Sequence, residues 1–112
     1  MVDKRFFDDL VILLTSEVDN TIANDLSKEL LRRKLAACIS IREVASNFWW
    51  EGAIETAMES QLIIKTSKEK LQDLIDAIDQ LHSYETPQIL FWNVSASHSY
   101  RKWVDHSLLL DL

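Results

Sequence analysis

His82-Ser83-Tyr84-Glu85-Thr86-Pro87 sets an imidazole, hydroxyl groups, a phenol and a carboxylate side by side in one polar run. Binding and catalytic groups concentrate on loops of this kind, although polar loops are usually only solvated. Phe48-Trp49-Trp50-Glu51 concentrates three aromatics and a carboxylate. Consecutive strand residues point to opposite faces, so Trp49 and Trp50 cannot both enter one monomer core. The surplus indole either anchors a subunit interface, where Trp is enriched, or walls a ligand cleft. Lys65 follows Ile63-Ile64 at a strand end, where its ammonium binds an anion or extends its tip into water. Cys38 is either an inert buried thiol or a metal ligand.

Spacing supports little else. There is no C-x-x-C or H-E-x-x-H, and no second histidine lies near His82 in the chain, so a metal site would have to be assembled by folding or between subunits. His98 and His106 are eight residues apart, about 80° out of register on a helix, and do not form an obvious pair. No spacing places a base beside a nucleophile, so an enzyme is not indicated. The single glycine, Gly52, excludes dinucleotide fingerprints, P-loops and nucleophile elbows, each of which needs several.

The chain has 112 residues, enough for one domain spanning 1–112. Hydrophobic residues at 47% and charged residues at 27% predict a packed core rather than a disordered chain. A net charge of −6 repels phosphate backbones, which argues against nucleic acid as a partner. A lone cysteine forbids an intrachain disulfide and fits a reducing compartment. The apolar run near the N-terminus is only five residues long, too short for a membrane span or secretory segment. A cytoplasmic protein is expected.

Leu10 to Leu14 is an uninterrupted apolar run that suits a central strand buried on both faces. Val18, Ile22, Ala23, Leu26, Leu30 and Leu31 then space like a helix, with Ser16 as the predicted N-cap and Arg32-Arg33-Lys34 at the end. Ala36 to Val44 and Ser46 to Ile54 alternate, which predicts two strands separated by a poorly marked turn at 42–45. Met58 to Thr66 predicts another strand. Thr66-x-x-Glu69 spells a capping box ahead of the amphipathic stripe Leu71, Leu74, Ile75, Ile78 and Leu81. Thr86 before Pro87 is biased to extended backbone, preparing a strand from Gln88 to Val94. Tyr100, Trp103, Val104 and Leu108 space like a short last helix.

The resulting order, β-α-β-β-β-α-β-α, contains the split β-α-β core of ferredoxin-like domains, an α+β sandwich with an extra C-terminal helix. Both long helices should pack on one sheet face. The other face needs cover, or is polar, or meets another subunit.

Lys34-Leu35-Ala36-Ala37-Cys38, Trp49-Trp50-Glu51-Gly52, Leu62-Ile63-Ile64-Lys65-Thr66 and His82-x-Tyr84-x-x-Pro87 together resemble the CutA family of divalent-cation tolerance proteins. The likeness covers the chain from about Leu10 to Val104. It implies a ferredoxin-like subunit assembled into a homotrimer through sheet edges, similar in architecture to PII-like signalling proteins, and it implies binding of copper or another divalent cation. Residues matching the family's cleft are Cys38, Trp50, Glu51, Lys65, His82, Tyr84 and Glu85. Of these, His82, Cys38 and Glu85 stand as metal ligands, and Trp50, Glu51, Lys65 and Tyr84 as the lining of a ligand cleft. Trp49 and Phe48 are assigned to the interface. The chain departs from the family pattern in lacking a Pro-Gly turn after the cysteine strand, and in Ala53, Ser83 and Gln88, where Lys, Pro and Glu are usual. Some members have a metal-binding cysteine at the position of Leu14 and a second histidine at Leu81, which would leave His82 to bind copper with nearby carboxylates.

Three functions compete on this basis. One is a trimeric metal-tolerance protein that binds Cu(II) or a similar ion at subunit junctions. Another is a PII-like regulator that takes a small anion through Lys65, or docks a protein partner. The third, an RNA-binding domain of the same topology, fails on charge and on the missing glycine-aromatic pattern.

Overall fold

The computed structural model describes residues 7–109. Its elements are β1 (Phe7–Glu17), α1 (Asn20–Arg32), β2 (Cys38–Trp50), β3 (Ala53–Thr66), a 3-10 turn (Lys68–Lys70), α2 (Leu71–Leu81), β4 (Leu90–Ser97) and α3 (His98–Ser107). The strands form one antiparallel sheet in the order β2-β3-β1-β4. This is the ferredoxin-like arrangement, α+β, with a helix added at the C-terminus.

Strand alternation divides the apolar residues between two layers. Leu13, Leu62 and Ile64 face α1 and α2, meeting Leu26 and Leu30 of α1 and Leu74 and Ile78 of α2 in the main core. Leu10, one residue out of phase, turns to the opposite face, where Val104 and Leu108 at the end of α3 bury it with Val94 and Ala96. So the central position of β1 explains its unbroken apolar run, and α3 supplies part of the cover that the second face needs. We call this second face the open face, because α3 covers only one end of it.

Four local expectations are corrected. Residues 46–54 are not a separate strand: β2 runs unbroken from Cys38 to Trp50 and pairs with β3 from Cys38↔Lys65 to Trp50↔Ala53. The turn is Glu51-Gly52, both left-handed with φ of +48° and +80°, as a two-residue primed hairpin turn requires. The N-cap of α1 is Asp19, whose carboxylate accepts from the Ile22 N–H at 2.9 Å, and Ser16 stays in β1. No capping box forms at Thr66, because β3 continues through it and its hydroxyl donates to the Leu35 carbonyl at 2.7 Å. The last strand begins at Leu90, two residues later than expected.

One feature departs from a compact sandwich. β1 stops pairing with β3 at Glu17↔Ser60, so the seven rows from Val44↔Glu59 to Trp50↔Ala53 are a two-stranded ribbon. At strand spacing this arm extends about 24 Å beyond the sheet. The molecule measures 49 × 34 × 21 Å as a result.

Candidate functional site

The polar run 82–88 folds over the end of β1, at the base of the arm. Glu17 is fully buried there. Its carboxylate accepts from the Val18 N–H at 3.1 Å, from the Ser83 N–H at 3.0 Å and from the Ser83 hydroxyl. The His82 side chain is also fully enclosed. Its Nε2–H donates to the Ser16 carbonyl at 2.6 Å, while Nδ1 accepts from the Tyr84 N–H at 3.0 Å and lies 3.5 Å from the Glu17 carboxylate. Those contacts define the neutral Nε2–H tautomer. The ring edge of His82 meets Tyr84, with centroids 4.8 Å apart. Tyr84 reaches onto the open face and donates to Glu59 at 2.7 Å. Burial, and then the Glu59 carboxylate that its hydroxyl serves, push the Tyr84 phenol up well beyond the usual tyrosine range. Further along the loop, Gln88 accepts from the Ser16 hydroxyl at 3.3 Å.

At the other end of the open face stands Lys65. Cross-strand pairing puts Cys38, Lys65, Ile12 and Trp92 in one row. The Lys65 Nζ donates to the Ser40 hydroxyl at 3.2 Å and lies 3.9 Å from the Cys38 Sγ. Tyr100 of α3 lies within electrostatic reach of Cys38, and burial followed by that thiol raises its phenol.

The arm carries the aromatics. Trp49 is 73% exposed and Trp50 61%, on opposite faces of the ribbon, and Ile54 and Met58 are similarly bare. Neither indole enters the core, and Phe48 is exposed as well.

Within one chain these residues do not form the two clusters expected of them. His82, Cys38 and Glu85 do not fit a shared metal: both His82 nitrogens are occupied, and Cys38 lies five rows from the Glu17 end of the sheet, about 17 Å away along the strands. Glu85 is exposed. Among the described residues no group of three or more His, Cys, Asp and Glu side chains is arranged to hold a metal ion. The expected cleft is likewise dispersed, with Trp50 and Glu51 at the arm tip, Tyr84 at the arm base and Lys65 beyond it. Glu17 and Glu59 were not among the expected site residues, since their contacts with the loop span 66 and 25 residues of sequence. The one local hint was an acidic residue at position 17, two polar residues beyond the apolar run of the first strand.

Comparison with known proteins resolves the ancestry. The model of the CutA1 divalent ion tolerance protein family matches residues 11–107. The divalent-cation tolerance protein CutA of Pectobacterium atrosepticum is 37% identical over 110 residues, covering 96% of this chain and 99% of its own length. Its namesake from Archaeoglobus fulgidus is 39% identical over 87 residues, 77% of this chain and 85% of that one. Among solved structures, CutA from Synechococcus elongatus superposes with a TM-score of 0.87 at 35% identity, covering 89% of this chain and 90% of that chain. The periplasmic divalent cation tolerance protein CutA from Archaeoglobus fulgidus gives 0.85 at 34% identity, covering 88% and 98%. With its sequence matched nearly end to end and its sheet, helices and arm all in place, the chain belongs to the CutA1 divalent ion tolerance family.

Proposed function

We propose that the chain works as a homotrimeric divalent-cation tolerance protein, joined through its arms and binding copper or a similar ion at the subunit junctions. The observation that carries this reading is the arm. Seven rows of ribbon bearing Trp49, Trp50, Ile54 and Met58 in water are far more apolar surface than a monomer keeps uncovered. A second and third copy of the same chain are the natural cover, since symmetric closure satisfies the arm and the free edges of β2 and β4 together.

The metal in this reading is cargo. Ligands come from carboxylates that assembly brings near one another, with Glu51 and Glu55 on the arm the nearest at hand, rather than from His82. Oxygen donors bind Cu(II) less tightly than nitrogen or sulfur donors, so the affinity is modest. In this reading the protein is a binder and not an enzyme, and its lone cysteine, which can form no intrachain disulfide, supports a cytoplasmic location.

Light scattering tests the assembly: a mass three times the 13.0 kDa chain is expected, and a stable monomer would overturn it. Copper titration then tests the cargo. Wild type and His82→Ala should bind alike, both weakly; loss of binding in His82→Ala would return the imidazole to the metal. Binding by neither would remove copper from the proposal.

A further inference from the structure

We propose that Asn20 and Tyr84 brace the base of the arm from its two faces, so that α1 and the polar loop after α2 set the direction in which the arm points and thereby prepare it for assembly. The use of that direction rests on the trimer reading, whereas the braces themselves are contacts within a single chain. Three observations support them.

First, they stand where the sheet stops holding the ribbon. β1 ends at Glu17↔Ser60, and the next row, Val44↔Glu59, has no third strand. From that row outward the β3 edge has lost its ladder to β1, and two strands alone are marginal in water. On the face toward the helices, which Ser60 shares with Leu62 and Ile64 by alternation, the Asn20 amide lies across the last supported row. Its Nδ2–H donates to the Glu43 carboxylate at 2.9 Å, and its Oδ1 accepts from the Ser60 hydroxyl. One side chain thus ties both strands to the first turn of α1. On the open face, one residue further out, the Tyr84 hydroxyl donates to Glu59 at 2.7 Å.

Second, both braces spring from one anchor, the end of β1. Asn20 follows Glu17 by three residues, directly after the Asp19 that caps α1. Tyr84 follows Ser83, whose N–H and hydroxyl are both held by the buried Glu17 carboxylate. His82 packs its ring edge against Tyr84, with centroids 4.8 Å apart. The phenol therefore reaches Glu59 with little side-chain freedom left to lose.

Third, nothing else does this work. Among the described residues no other side-chain hydrogen bond or ion pair joins the ribbon to the body of the subunit. The remaining one in the arm, from the Thr56 hydroxyl to Asn47 at 2.6 Å, links the two strands of the ribbon to each other. Leverage makes the base decisive: on an arm about 24 Å long, a tilt of about 5° at the base moves the tip by about 2 Å, enough to take an indole out of a complementary contact.

Amide hydrogen exchange and sedimentation velocity on the full chain test the braces. Tyr84→Phe keeps the ring against His82, and Asn20→Ala leaves the Asp19 cap in place. Compared at a concentration where all proteins have the same mass, exchange in 44–50 and 53–59 should quicken in each variant. In the double variant the two effects should multiply, because they act on opposite faces. Exchange at Leu13, Leu62 and Ile64 should stay as in wild type. The concentration at which the trimer half-dissociates should rise about tenfold or more in the double variant, which lacks a hydrogen bond to a carboxylate on each face. Arm exchange that is unchanged in the double variant, or quickened no more than in the core, overturns the proposal. A loosened arm on a trimer that resists dilution as wild type does overturns it too, since direction would then not matter to assembly. A wild type that is monomeric at every concentration removes the trimer reading instead, and the braces are then decided by exchange alone.

Discussion

Glu17 shows how much one buried side chain governs the polar loop. Its two oxygens serve three donors, two of them on Ser83, and a buried donor left without its acceptor is destabilising. Glu17→Ala should therefore lose about 3 kcal/mol in urea unfolding, with Glu17→Gln intermediate because one acceptor oxygen survives. His82→Ala should lose about 2 kcal/mol by the same measurement, from the Ser16 and Tyr84 contacts together. A neutral result for both would mean that the loop does not depend on this clamp. The tyrosines give a second check. Both phenols of the chain are raised, so the fold favours their neutral forms. Their contribution to stability is whole below the ordinary phenol pKa of about 10 and is lost as pH climbs beyond it. Absorbance titration of the folded protein should show no tyrosine ionising at the ordinary value, and Tyr84→Phe should flatten the alkaline fall in melting temperature.

At the level of elements, the hairpin turn is the clearest case for repair. Glu51 sits at a φ of +48°, which is strained for most residues with a Cβ and better tolerated by Asn, whose short amide hydrogen-bonds locally. Glu51→Asn should stabilise the ribbon by roughly 0.5 kcal/mol, read as a rise in thermal midpoint. Gly52→Ala should cost about 1 kcal/mol, all of it backbone strain, since nothing lies within 4 Å of the added methyl group. The same hairpin marks the limit of what patterning reveals. β1 and α2 were legible because burial imposes a period on them: a central strand is apolar throughout, and α2 turns Leu74 and Ile78 inward. The last four residues of β2, 47–50, are exposed on both faces and Val44 and Ser46 are only partly covered, so no polarity boundary separates the outer half from its neighbours and the turn was placed in the middle of a strand. Ser16 failed as a cap for a tertiary reason, since Glu17 is held in the strand by Ser83 from 66 residues away. In the candidate site, the chemistry of Lys65 could be named from its place beside Ile63-Ile64, whereas the partners of His82 exist only after folding.

For the whole molecule, the arm makes the subunit lopsided: one end is a two-helix sandwich with a finished core, the other is a ribbon with nothing beneath it. Trp50→Ala should accordingly act on the assembly before it acts on the fold. In the proposed trimer the arm contacts bury this indole, so its truncation removes about 3 to 5 kcal/mol per subunit, and light scattering should show lower mass at a given dilution. A soluble trimer of unchanged thermal midpoint would instead assign Trp50 to an open cleft.

An isolated two-stranded ribbon is marginal in water, and that bears on how the protein reaches its final form. The sheet and its helices can form in a single chain within a first-order phase. In the trimer proposed above, the ribbon gains most of its support only when another chain arrives, so its ordering waits for an encounter. Refolding from denaturant should then show a fast phase independent of protein concentration and a slower one whose rate rises with it. The apparent melting temperature should climb with concentration for the same reason. Dilution would thus act on the arm as a selective denaturant, loosening the Trp49 and Trp50 end while amide exchange in Leu13, Leu62 and Ile64 stays slow.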